Sequence, residues 1–263
     1  MNRFFAAFAL LCMLFACACQ PAKTENATLT VMAAASLTEP FTALADQYQE
    51  LHPGVKIVLN FAGSQALANQ IVQGAPADVF ASANLKYMQQ MLDQGFVEPD
   101  GSRTFAYNEL VVVVPKTNPA HLSTLADLAG TDLKIVLAAE EVPVGSYTRQ
   151  FLDLADAQLG ADYRARFMKN VVSYEDNVKS VLTKVSLGEA DAGVVYGSDA
   201  ASAADTVLTI AIPVELNVRA EYPLAVLKGS ANPRVAAAFV DYILSPNGQT
   251  LLARYGFTPA ITN

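Results

Sequence analysis

The sequence predicts an α/β fold of mainly parallel sheets flanked by helices. Short apolar runs alternate with helical stretches along most of the chain. Several of the runs are apolar almost without interruption, as strands buried on both faces are. Gly and Pro stand where helices should stop.

The elements follow in order. Residues 28–34 read as a strand. Residues 37–52 read as a helix with Leu37, Phe41, Leu44, Tyr48 and Leu51 on one stripe, ended by Pro53-Gly54. Residues 56–61 form the next strand and 65–73 the next helix, stopped by Gly74. A strand at 79–82 and a helix at 85–94 closed by Gly95 complete the first series. The pattern then restarts with the strongly apolar strand 109–115, a strand at 134–138, helices at 146–158 and 176–187, and the buried strand 192–196. A late strand at 223–228 and two helices finish the chain. The last helix opens at Ser245-Pro246, a capping residue followed by proline at the first helical position, and ends at Gly256.

The 263 residues are 52 % apolar and 16 % charged, enough for a sizeable core and too apolar for disorder. The formal net charge of −8 speaks against nucleic acid, whose affinity comes from Lys and Arg neutralising phosphates. It also requires any anion site to be local. Residues 1–18 read as an export signal: Asn2-Arg3, an apolar run from Phe4 to Leu14, then small residues. All three cysteines, Cys12, Cys17 and Cys19, lie there or just beyond, so a disulfide framework or thiolate site is not expected in the body. Leu14-Phe15-Ala16-Cys17 resembles a bacterial lipoprotein processing box, with Phe15 atypical and Cys19 a second candidate for the lipid anchor. An ordinary cleaved signal is the alternative. Residues 19–27 read as a linker.

The sequence lacks GxGxxG, a phosphate loop, HExxH and GxSxG. Its two histidines, His52 and His121, sit beside turn signals and read as solvated loop residues. No catalytic residue and no cofactor is expected. What stands out is a set of hydroxyls and amides at strand-to-helix junctions. Ser36 follows the first strand and Ser64 the second. In open α/β sheets, ligands gather at such carboxyl ends, where helix N-termini offer free N–H groups to anions. The competing reading makes Ser36 a simple helix cap, since Ser36-Leu37-Thr38-Glu39 fits a capping box. Val144 and Val178 each stand at a helix start with an unpaired N–H. Asp176 is alternatively a plain cap. Tyr196 ends an apolar strand, where core packing competes with a role as donor.

The blocks AAASLT (33–38), GAPADVFASA (74–83), VPVGSY (142–147), YEDNVKSVL (174–182), VVYGSDA (194–200) and EYPLAV (221–226) resemble the periplasmic molybdate-binding proteins of bacterial ABC importers, in order and over nearly the whole mature chain. The resemblance implies a two-lobed periplasmic-binding-protein fold of type II, closing about two crossover strands. Lobe 1 would take residues 28–106 and 223–263, and lobe 2 residues 107–222. It also implies an oxyanion held by Ser36, Ser64, the amides of Val144 and Val178, and Tyr196, with no direct metal ligand and no cationic side chain. The chain departs from the family at Gly63-Ser64-Gln65, where many relatives carry a run of serines, and at Val144, often alanine.

The implied ligand is molybdate or tungstate, delivered by a periplasmic monomer to a membrane permease and its ATPase. A site of donors alone suits a proton-free dianion. Phosphate would bring an O–H with no acceptor, at about 1–3 kcal/mol. That argument requires Glu175 and Asp176 to face their own helix start and solvent. Rival expectations are another oxyanion such as sulfate or thiosulfate, the effector domain of a regulator, and an enzyme. The last lacks a base near either serine.

Overall fold

In a computed structural model, residues 26–260 are described. The segment read as an export signal, the three cysteines and most of the stretch read as a linker lie outside them. The elements are β1 (Ala27–Ala34), α1 (Thr38–Leu51), β2 (Val55–Ala62), α2 (Ser64–Val72), β3 (Val79–Ala81), α3 (Leu85–Asp93), β4 (Arg103–Asn108), β5 (Leu110–Pro115), β6 (Ile135–Ala138), α4 (Pro143–Leu159), α5 (Tyr163–Lys169), β7 (Val171–Glu175), α6 (Val178–Ser186), β8 (Ala192–Tyr196), α7 (Gly197–Ser202), β9 (Val207–Ala211), β10 (Ala220–Val226), α8 (Pro233–Leu244), α9 (Pro246–Arg254) and β11 (Thr258–Pro259).

They form two lobes, each a mixed sheet flanked by helices. The six-stranded sheet has the order β11-β4-β10-β3-β1-β2, and the five-stranded sheet the order β7-β6-β8-β5-β9. Each contains the same device: a parallel trio (β2-β1-β3 in one, β7-β6-β8 in the other) extended on one side by antiparallel strands. The sheets are therefore mixed rather than mainly parallel. The reason is that β10 and β5 enter their sheets from the opposite direction, after the chain has crossed between lobes.

The crossings run from β4 to β5 and from β9 to β10. Asn217 knits them together. Its Nδ2 donates to the Leu110 carbonyl at 2.9 Å, and its Oδ1 accepts from the Leu110 amide at 3.0 Å. One side chain thus imitates a strand's hydrogen-bond pair where the second crossing passes the first. Asn108 Nδ2 donates to Ser198 Oγ at 2.7 Å beside it.

The helices follow the apolar stripes. In α1, Phe41, Leu44, Ala45 and Tyr48 are buried, and His52 stacks on Tyr48 beyond the last turn. Asn84 caps α3, Asn177 caps α6 and Ser245 caps α9, each accepting an amide hydrogen of the first turn. Asp176 is thus not the cap of α6. Helix α4 starts at Pro143, three residues before the expected start. Proline is well suited there, having no N–H to leave unpaired.

That early start is held by a glycine. A Cβ on Gly145 would come within 1.9 Å of the Ala139 carbonyl oxygen and 2.6 Å of that of Ala138. The first turn of α4 therefore rests directly on the chain leaving β6. Gly145→Ala is expected to destabilise the fold by about 1–3 kcal/mol, the usual range for overpacking. Urea unfolding would measure it; an unchanged midpoint would show that α4 slides freely along β6.

Candidate functional site

Both parallel trios point their carboxyl ends into the space between the lobes, and a small pocket lies there. It is small, with a cavity volume of about 10 Å³, far below the roughly 300–1,000 Å³ of sites for drug-sized molecules. Lobe 1 lines it with Ala34, Ala35, Ser36, Gly63, Ser64 and Ala83, and lobe 2 with Val142, Pro143, Val144, Val178 and Tyr196. All five residues singled out in the sequence meet at this pocket. None of its lining residues is charged.

Ser36 sits in a single 3-10 turn, Ala35–Leu37, that precedes α1. It does not cap that helix: α1 has Leu37 at its N-cap with no side-chain bond. The Ser36 Oγ instead lies 3.0 Å from the Tyr222 hydroxyl. Ser64 opens α2, and its Oγ accepts the Ala83 amide hydrogen at 3.0 Å. A serine whose oxygen already accepts keeps its own O–H free to donate. The same holds for Ser36 when Tyr222 is the donor of that pair.

Val144 and Val178 are the second residue of α4 and the first of α6. Their N–H groups belong to the first turn, which has no intrahelical acceptor. Each helix start also carries partial positive charge. Tyr196 closes β8 with its side chain fully buried, and its hydroxyl has no well-aligned hydrogen-bond partner among the described residues. Burial raises this phenol well above its ordinary pKa, and Tyr222, Tyr147 and Asp199 push the same way. Burial likewise raises Tyr222, and moves Tyr147 up to about 12. All three phenols therefore keep their protons at neutral pH and remain donors.

The acids that could have spoiled a donor-only site do not line the pocket. Asp176 is exposed. Glu175 does not face solvent as expected. It is partly buried and accepts from Lys184 Nζ at 2.5 Å and Ser173 Oγ at 2.6 Å. Two other groups were overlooked in the sequence. Tyr222 stands within the block EYPLAV, but a tyrosine in an apolar strand gave no sign of its reach to Ser36. Asp199, at 0 % exposure, lies behind Tyr196 on α7. Its carboxylate is 3.0 Å from Lys179 Nζ without a well-aligned hydrogen bond.

The lobes meet closely around the pocket. Gln65 Nε2 donates to the Asp176 carbonyl at 2.7 Å, and the Tyr87 hydroxyl donates to the Glu141 carbonyl. Gln65, at the point where the chain departs from the serine run of the family it resembles, uses its long amide to reach the opposite lobe.

Residues 29–258 match the family of bacterial extracellular solute-binding proteins. The molybdate-binding protein ModA of Mycobacterium tuberculosis (strain H37Rv) is 38 % identical over 230 residues, covering 88 % of this chain and 84 % of that protein. Among solved structures, the periplasmic molybdate-binding protein of Azotobacter vinelandii superposes with a TM-score of 0.77 at 23 % identity, over 89 % of this chain and all of that one (100 %). The sulfate-binding protein SubI of Mycobacterium tuberculosis H37Rv superposes with a TM-score of 0.79 at 19 % identity, over 89 % and 87 % of the two chains. At those identities the two structures establish the fold.

Asp199 gives a pH prediction. Burial raises its pKa from 3.8 to about 6, against the lowering effect of Lys179. The folded state thus holds this proton more tightly than the unfolded chain. The resulting stability is fully present below about pH 4 and is lost as pH rises through about 6. Wild type minus Asp199→Asn stability should therefore fall between about pH 4 and pH 6 and level off above that, as read from urea unfolding at each pH. A difference that is flat, or that rises, would refute the assignment.

Proposed function

The chain belongs to the bacterial extracellular solute-binding proteins, and we propose that it captures molybdate, and tungstate with it, between its two lobes. The observation that carries this reading is an uncharged pocket in which buried hydroxyls and helix-start amides from both lobes converge. The Tyr196 hydroxyl, buried without a well-aligned partner among the described residues, is what such a pocket leaves over when a ligand oxygen is its acceptor.

Ser36 and Ser64 offer O–H donors from lobe 1. Val144 and Val178 offer N–H donors, and Tyr196 its phenol, from lobe 2. A charge-assisted hydrogen bond contributes about 1.5–3 kcal/mol net. A handful, less the cost of closure, suffices for micromolar affinity, about 8 kcal/mol, without a cation. Because no carboxylate lines the pocket, a protonated oxyanion finds only neutral hydroxyl oxygens, and no anionic acceptor, for its O–H. A fully ionised tetrahedral dianion satisfies every donor. The lobes are taken as residues 28–106 with 223–263 and residues 107–222, turning about the two crossings. A ligand bridging them binds the closed form better and shifts the population toward it.

The same reading makes the protein a periplasmic carrier, without catalytic activity, that hands its anion to the permease and ATPase of an ABC importer. Cys17 or Cys19 would provide a lipid tether. The second reading is a sulfate or thiosulfate carrier, favoured by the likeness of fold to the sulfate-binding protein. Sulfate has shorter bonds to oxygen than molybdate and would reach fewer donors at once.

Calorimetry of the mature protein with molybdate, tungstate and sulfate separates the two. Molybdate is expected to bind at least a hundredfold tighter than sulfate, a gap of about 2.7 kcal/mol; the reverse order would replace this reading by the second. Ser36→Ala and Ser64→Ala should each weaken molybdate binding roughly tenfold or more, with folding retained. Tyr196→Phe should weaken it less, since its packing survives. Unchanged affinity in both serine variants would dismiss the site.

A further inference from the structure

Beside the pocket, a lysine is held by an acid from each lobe. Lys179 is the second residue of α6, directly after Val178. Its Nζ donates to Glu39 Oε1 at 2.9 Å and Oε2 at 2.7 Å. Glu39 lies in the first turn of α1, three residues after Ser36, on the opposite lobe. The same ammonium lies 3.0 Å from Asp199 Oδ1, on α7 of its own lobe. Exposure is 23 % for the Lys179 side chain, 39 % for Glu39 and 0 % for Asp199.

We propose that Lys179 is a positioning residue that clasps the two lobes around the bound anion, through Glu39 across the cleft and Asp199 behind it. The argument is one of placement. The clasp joins the two chain segments that bring Ser36 and Val178 to the pocket, so these donors approach each other only as the ion pair forms. Asp199 is buried beside Lys179 and holds the ammonium when the lobes part. Glu39 is the partner that opening removes. Opening therefore separates Lys179 from one carboxylate and exposes both charges to water, whereas closing forms a partly desolvated ion pair. Gln65 and Tyr87 also cross the cleft, but as neutral donors to backbone carbonyls. Among these three contacts only the clasp is sensitive to salt. It stabilises the closed form directly and so raises the fraction of molecules competent to hold the ligand.

The inference rests on the oxyanion reading above for its ligand arm alone. Its first test needs no ligand. Small-angle scattering of the unliganded protein should show a larger radius of gyration for Glu39→Gln than for wild type, and wild type should approach the variant as salt rises. The second test is molybdate release by stopped flow. Glu39→Gln should raise the dissociation constant roughly two- to fivefold, mostly through the off-rate, and Lys179→Arg should restore most of the difference seen in Lys179→Met. Glu39→Gln keeps the Lys179–Asp199 pair and so remains informative if Lys179→Met fails to fold. If Glu39→Gln matches wild type in scattering at low salt, the clasp is refuted, whatever the wild type binds. If wild type ignores molybdate while the scattering shift appears, the ligand is wrong and the clasp stands.

Discussion

Backbone N–H groups at a helix start have no carbonyl to bond, and burying them unpaired is costly. In this chain two such starts, those of α4 and α6, meet at one buried pocket between two sheets. The arrangement follows from the parallel trios. Parallel strands send all their carboxyl ends to one side, and each is followed by a turn and a helix pointing its start the same way. Two trios set face to face then supply donors from opposite directions. The hydroxyls of Ser36, Ser64 and Tyr196 extend this set, and Gly145 fixes how far α4 can approach. Such a pocket is rich in donors: the helix-start amides can only donate, and the hydroxyls keep an O–H to give.

Much of this was legible in the sequence because it was written in local signals. The stripe of α1, the caps at Ser245 and the apolar runs of β5 and β8 each state their conformation within a few residues. The donors were legible for the same reason: a serine or free amide just after a strand lies at a carboxyl end. The structure brought all five together, and the resemblance to known families had pointed to the same five. What was not legible depends on distance along the chain. The strands β4, β7 and β9 escaped notice. Their runs RTFAYN, VVSYE and VLTIA are mixed in polarity, and several of their side chains are exposed. Strand direction in β10 and β5 depends on where the chain returns from, which no local pattern records. The partnership of Ser36 with Tyr222 spans 186 positions, and that of Glu39 with Lys179 spans 140.

The charge distribution gives the two kinds of group different tasks. The molecule is acidic overall, yet the pocket wall carries no formal charge and presents dipoles. Charges stand one layer out, where Glu39, Lys179 and Asp199 neutralise one another in part. A cation inside the pocket would attract any anion alike. Dipoles fixed by helices and strands discriminate by geometry and protonation instead, because each has one direction in which it is useful.

Gly63 sets a limit of a different kind. A methyl group at this position would lie 2.4 Å from the Asp176 carbonyl oxygen on the other lobe. The depth to which the two halves sink together here thus depends on a missing side chain. Any larger residue there would act as a wedge. Enlarging the pocket for a bulkier solute would then require no change to the donors themselves, only a spacer at the rim.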